Sequence, residues 1–128
     1  MTDQTSQILV VDDDMMARMA TAQCVKQQGH SVTMAEGGAQ ALELLGAQAF
    51  NLVLLDLKMP DMDGFDVLEQ MQGDEKLRQI PVLVVSGSDQ SDSIDRCIEL
   101  GAVGHIAKPV DPEALIAQVN ASLVECSG

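Results

Sequence analysis

The sequence predicts an α/β fold, a doubly wound parallel sheet of five strands with helices on both faces, written (βα)5. Three observations predict it. Four apolar runs stand out, Ile8–Val11, Leu52–Leu55, Val82–Val85 and Val103–Ala107, the first three continuous rather than alternating, as strands buried on both faces are. The stretches between them carry apolar residues at helical spacing. Glycines and prolines stand at the junctions, where they stop helices or start them.

The elements follow in order. After the first strand, Ala17, Ala20, Cys24 and Val25 fall at i, i+3, i+7 and i+8, and Gly29 ends that helix. Ser31-Val32-Thr33-Met34 is a weaker strand. Gly46 ends or interrupts the second helix, and the third strand runs to Asp56, with Pro60 breaking the chain beyond it. Asp61 and Asp63, with Gly64, shape a turn and cap the third helix, in which Phe65 is a core residue. Asp89, Asp92 and Asp95 load the start of the fourth helix, where the dipole favours negative charge. Ile94, Cys97 and Ile98 mark its buried face, and Gly101 ends it. Asp111-Pro112-Glu113 opens the last helix as N-cap, N1 proline and early acid. Leu115, Val119 and Leu123 then repeat every four residues.

Composition narrows the partners. The chain has 128 residues, enough for one domain with its own core. Seven Lys+Arg against 20 Asp+Glu give a formal net charge of −13. That charge argues against nucleic acid and anionic membrane surfaces, which need a positive patch. Phe50 and Phe65 are the two aromatics, too few for a base-stacking platform. Cys24, Cys97 and Cys126 form no C-x-x-C pair and suit reduced thiols in the cytoplasm, the first two as small core hydrophobes. The lead Met1–Gln7 is polar and lacks a basic residue, unlike a secretory leader. No apolar run approaches the roughly 18 residues of a membrane span.

In an open α/β sheet, ligands bind beyond the carboxyl ends of the strands at the switch point of strand order. Asp12, Asp13 and Asp14 follow the first strand, Asp56 the third, Ser86-Gly87-Ser88 the fourth, and Lys108-Pro109 the fifth. The second strand offers only Glu36. Carboxylates gathered within a few Å repel one another, and a cation among them relieves that repulsion. Oxygen ligands at an open edge suit Mg²⁺, or Mn²⁺, shared with a phosphoryl group. A lysine and a hydroxyl opposite would clamp phosphoryl oxygens, and a central carboxylate is a candidate acceptor. Asp14 reads as the helix N-cap or a solvent-facing acid rather than a ligand.

Val10-Val11-Asp12-Asp13-Asp14, Leu54 through Gly64 around Asp56, Val84-Val85-Ser86-Gly87 and Ile106-Ala107-Lys108-Pro109 together resemble the response-regulator receiver domain of two-component signalling, of chemotaxis-receiver type. The resemblance runs from about residue 7 to 124 within a single domain of residues 1–128. It implies a flavodoxin-like sheet of order 2-1-3-4-5. It implies Asp56 as phosphoacceptor, fed by a sensor histidine kinase or histidine phosphotransfer protein. Asp12, Asp13, Asp56 and the backbone carbonyl of Lys58 would hold the metal. Ser86 would be the switch hydroxyl, and Lys108 the lysine that bonds the acceptor and then the phosphoryl group. The Lys108–Pro109 bond is often cis in the family, an uncommon geometry in folded chains.

Some positions depart from the family pattern. His105 stands where Tyr or Phe is the usual switch aromatic, so a chargeable imidazole takes that place. Val110 stands where Phe is frequent. Lys58 and Ser88 are expected to flank the phosphoryl group and set its lifetime. Met15, Met16, Met19, Met59 and Met62 lie near the site and read as packing residues, or else as a soft docking surface for the phosphodonor. His30 reads as an ordinary surface residue.

Other functions fit less well. Asp12-x-Asp14 has the spacing of an aspartyl-nucleophile phosphatase, but Met16 stands where that motif wants Thr or Val. A nucleotide- or flavin-binding module would want a glycine-rich first turn, not an acidic one. A receiver that acts without phosphorylation would not need the intact Asp56, acid pair and Lys108. The expected protein is thus a cytoplasmic switch, stand-alone or part of a longer regulator, not a turnover enzyme. It would assist its own phosphorylation and hydrolysis, and its helix 4, strand 5 and helix 5 face would change partner preference.

Overall fold

A computed structural model describes residues 6–57, 64–87, 91–108 and 111–127. Strands β1 (Gln7–Val11), β2 (Ser31–Ala35), β3 (Leu52–Asp56), β4 (Val82–Gly87) and β5 (Gly104–Lys108) alternate with helices α1 (Met15–Gln27), α2 (Gly38–Ala47), α3 (Gly64–Gln72), α4 (Ser91–Glu99) and α5 (Pro112–Ser127). All strand pairs are parallel, in the order β2-β1-β3-β4-β5. This is the flavodoxin-like order that the resemblance implies.

Side-chain alternation divides the core between the two faces of the sheet. Leu9, Val11, Val53, Leu55 and Val84 pack with Ala41 and Leu45 of α2, Val67, Leu68 and Met71 of α3, and Cys97 of α4. Ile8, Val10, Leu52, Leu54, Leu83, Val85 and Ile106 pack with Ala22 and Val25 of α1 and Leu115 and Val119 of α5. Every residue of β3 is buried, because the strand lies mid-sheet between two helical layers. The edge strand β2 is largely half-exposed, which is why its apolar signal is weak. Gly29 and Gly101, at φ +93° and +109°, take the left-handed conformation that glycine adopts without steric strain. Gly46 lies inside the last turn of α2, which continues to Ala47.

The buried face of α1 differs from the expected stripe. Arg18, Thr21, Ala22 and Val25 are buried, whereas Ala20 is exposed and Cys24 half-buried. Arg18 and Thr21 are the polar residues among them, and Arg18 finds a buried acceptor there, the Asp12 carbonyl. In α4, Cys97 is buried as expected, but Ile98 is 47% exposed. Phe65 is half-buried and lies between α3 and α4 rather than deep in the core. A short 3-10 turn, Leu77–Gln79, precedes β4. It is held where Asp74 accepts from the backbone N–H groups of Lys76 and Leu77.

Candidate metal and phosphoacceptor site

Register alone brings the first two acids together. Val11 of β1 pairs with Leu55 of β3, so the next residues, Asp12 and Asp56, emerge side by side at the carboxyl edge, about 4.8 Å apart as neighbouring strands are. The order of the chain reverses between β1 and β3, which makes this the switch point of the sheet. Carboxylate oxygens of Asp12, Asp13 and Asp56 all lie within 4.8 Å of one another. Asp12 and Asp56 are 5% and 4% exposed, while Asp13 faces solvent. Hard, anionic, partly solvated oxygens of this kind fit a Mg²⁺ ion that keeps some of its water.

Local hydrogen bonds fix Asp12 firmly. Its backbone N–H donates to the Ala35 carbonyl at 3.2 Å. One carboxylate oxygen accepts from the Asp14 N–H at 2.9 Å, and its carbonyl accepts from Arg18 Nη1 at 2.8 Å. Asp14 is the N-cap of α1, accepting from the Met16 N–H at 3.2 Å. The sequence therefore assigns Asp14 to its observed role, and misses Arg18 altogether. An arginine five residues after the acid pair was the available signal, but it interrupts the apolar stripe and reads there as a solvated charge.

The other strands carry their candidates to the same edge. Asp56 pairs with Val85, so Ser86 follows one step beyond on β4. Ser86 pairs with Ala107, and Gly87 with Lys108, the last residue of β5. Both positions thus lie within their strands rather than just after them. His105, on β5 opposite Val84, is half-buried, and that burial holds its imidazole below the ordinary value of 6.5. Lys58, Ser88, Met59, Met62, Asp61, Asp63, Asp89, Pro60, Val110 and the Lys108–Pro109 bond fall, wholly or in part, outside the described residues.

Gly64 packs closely against the end of β3. Its N–H donates to the Leu57 carbonyl at 3.0 Å. A Cβ there would stand 2.7 Å from Leu57 Cδ2, 2.9 Å from Leu57 Cα and 3.0 Å from the Asp56 carbonyl oxygen, so only glycine lets α3 start this close to β3. On the outer side, Met15, Met16 and Met19 are 59%, 78% and 56% exposed. They form an apolar rim on the first turns of α1, and the packing reading does not hold for them. Among the described residues, no helix is long and apolar enough to cross a membrane.

Residues 8–120 match the model of the response regulator receiver domain. The rice two-component response regulator ORR5 (Oryza sativa subsp. japonica) is 34% identical over 106 residues, covering 82% of this chain and 79% of that protein. ORR11 (Oryza sativa subsp. indica) is 35% identical over 82% of this chain and 72% of its own. Among solved structures, a CheY-like receiver domain protein from Methanospirillum hungatei superposes with a TM-score of 0.89 at 29% identity, covering 97% of this chain and 98% of that one. NtrX from Brucella abortus gives a TM-score of 0.90 at 27% identity over 97% of this chain, which spans only 28% of the NtrX chain. The acid cluster at the switch point, the strand order and the family match over residues 8–120 agree, and the chain belongs to the receiver-domain family of two-component response regulators.

Proposed function

We propose that the chain is a phosphorylation-controlled receiver, taking a phosphoryl group on Asp56 from a sensor histidine kinase or a histidine phosphotransfer protein. The observation that carries this reading is the meeting of Asp12, Asp13 and Asp56 within 4.8 Å at the β1/β3 switch point. Asp12, Asp13, Asp56 and the Lys58 carbonyl would hold Mg²⁺ or Mn²⁺. Once bound, the ion offsets the charge of the acids and of the incoming phosphoryl oxygens.

An Asp56 carboxylate oxygen attacks phosphorus. The P–N bond to the donor histidine breaks, and its electron pair stays on the imidazole nitrogen. The product is an acyl phosphate. Lys108 binds the acceptor carboxylate and then the phosphoryl group. Ser86 moves to the phosphoryl oxygens, and His105 fills the place behind it. Lys58 and Ser88 govern the approach of water, and so the lifetime of the phosphate. The change in partner preference is a population shift, biased by contacts made only in the phosphorylated state. The methionine rim on α1 offers the donor an adaptable apolar contact. Residues 1–128 act as one receiver unit in the cytoplasm, and the family match over residues 8–120 supports the single unit. The domain assists its own phosphorylation and dephosphorylation but does not turn over an external metabolite.

Incubation with Mg²⁺ and acetyl phosphate, followed by intact mass measurement, tests this. One phosphoryl adduct is expected, and it is absent in Asp56→Asn. A folded protein that gains no adduct, even from a phosphorylated histidine donor, would be a receiver that works through binding alone.

A further inference from the structure

Arg18 is 8% exposed, on the face of α1 turned toward the sheet. Burying a guanidinium is unfavourable unless fixed charges and acceptors compensate for lost water. Here a backbone carbonyl at the acid cluster supplies the acceptor. Nη1 donates to the carbonyl of Asp12, the residue that also supplies one of the three clustered carboxylates. The contact closes a ring through the first turn of α1. Asp14 N–H donates to the Asp12 carboxylate, Arg18 N–H donates to the Asp14 carbonyl, and the Arg18 side chain returns to the Asp12 carbonyl.

We infer that Arg18 is a positioning residue for the metal site. It fixes the Asp12 backbone, and through it the carboxylate, at the place a divalent cation requires. The inference rests on the reading of Asp12, Asp13 and Asp56 as a metal site. Two effects of the arginine oppose each other: its charge repels a cation, and its hydrogen bond holds a ligand. Mg²⁺ demands near-octahedral geometry and tolerates little ligand misplacement, so the hydrogen bond decides. Outer partners that orient metal ligands are typically worth about 10–100-fold in affinity.

The test is Mg²⁺ binding alone, by calorimetry on the full chain, together with melting temperatures with and without saturating Mg²⁺. Arg18→Met keeps the bulk and removes the charge and the donors. It is expected to weaken Mg²⁺ binding about 10-fold and to shrink the rise in Tm that Mg²⁺ produces. Arg18→Lys, with a single ammonium in place of the planar fork, is expected to lose affinity too, but less than Arg18→Met. If Arg18→Met does not fold, Arg18→Lys decides, and wild-type affinity in it overturns the inference. Equal or tighter binding in a folded Arg18→Met also overturns it, as the charge alone would give tighter binding. So does a Tm lowered equally with and without Mg²⁺, the mark of a packing role. If the unaltered protein binds no Mg²⁺, the reading of the site fails along with the inference. If it binds and the variants match it, only the inference fails.

Discussion

The Arg96 guanidinium lies over the ring of Phe65, 4.4 Å from its centroid, and the same group stands 3.7 Å from the Glu69 carboxylate. One side chain of α4 thus grips two positions a turn apart on α3. The ion pair is more than half exposed on both sides, so water screens it and it contributes little. The ring contact is the stronger of the two, at about 0.5–1 kcal/mol. A double-mutant cycle of Arg96→Ala with Phe65→Leu, read by denaturant midpoints, is expected to give coupling of that size. Arg96→Ala with Glu69→Ala is expected to couple more weakly, and the difference should persist in 0.5 M salt.

The crowding of Asp12, Asp13 and Asp56 predicts opposite effects of one substitution in two conditions. Asp13→Asn removes a like charge from a cluster within 4.8 Å. At an exposed position this is worth about 1 kcal/mol. In EDTA the variant should therefore melt about 3–5 °C higher than the unaltered chain. In excess Mg²⁺ the order should reverse, because on the proposed reading the variant lacks one of the carboxylates that would hold the ion. Scanning calorimetry in both buffers checks it.

The strong strands were legible because a strand buried on both faces must be apolar throughout, as Leu52–Leu55 is. The site was legible for a related reason: Asp12 and Asp56 end apolar runs, and adjacent parallel strands bring their ends together. Arg18 was not legible. Its burial depends on a carbonyl presented by a different element, and no helical period encodes that. The half-burial of His30 escaped because it depends on what packs over the turn between α1 and β2, which the local sequence does not state. Met15, Met16 and Met19 misled through composition, since an apolar residue on a helix counts as core until the neighbouring layer is known.

Gly64 predicts a local defect with a reach into the site. Gly64→Ala places a methyl group 2.7 Å from Leu57 Cδ2 and 3.0 Å from the Asp56 carbonyl oxygen. The side chain of Leu57 can yield, but the backbone atoms cannot without moving the end of β3. Overpacking of this kind costs about 1–3 kcal/mol. The denaturant midpoint should fall accordingly, and phosphorylation by acetyl phosphate should slow. Gly46→Ala has nothing within 4 Å of its new methyl group. Inside α2 it should raise stability by up to about 1 kcal/mol, which makes it the matched control.

The exposed methionine rim predicts a split between donors. Met16 is 78% exposed on the first turn of α1. Met16→Glu is expected to leave phosphorylation by acetyl phosphate within about 2-fold of the unaltered rate, because a small donor touches only the pocket. Transfer from a phosphorylated histidine protein should fall by about 10-fold, the effect of losing about 1.4 kcal/mol at an apolar contact. Equal slowing with both donors would place Met16 within the pocket's own chemistry instead.

The two histidines predict the acid side of the stability profile. Burial holds the imidazoles of His30 and His105 below the ordinary value of 6.5. Above that value both the native and unfolded chains carry neutral imidazoles, and neither histidine makes stability depend on pH. As the pH falls through 6.5, the unfolded chain binds protons first, so stability drops until the native imidazoles also become charged. His30 should contribute more than partial burial suggests, since both ring nitrogens are shielded from solvent without a hydrogen-bond partner. His30→Leu removes the titration and the unpartnered polar atoms together. It is expected to stabilise the protein by about 1 kcal/mol at pH 7.5. The gain should grow as the pH falls below 6.5, as read by urea midpoints at successive pH values. A gain that stays constant over those values would assign the benefit to apolar packing alone.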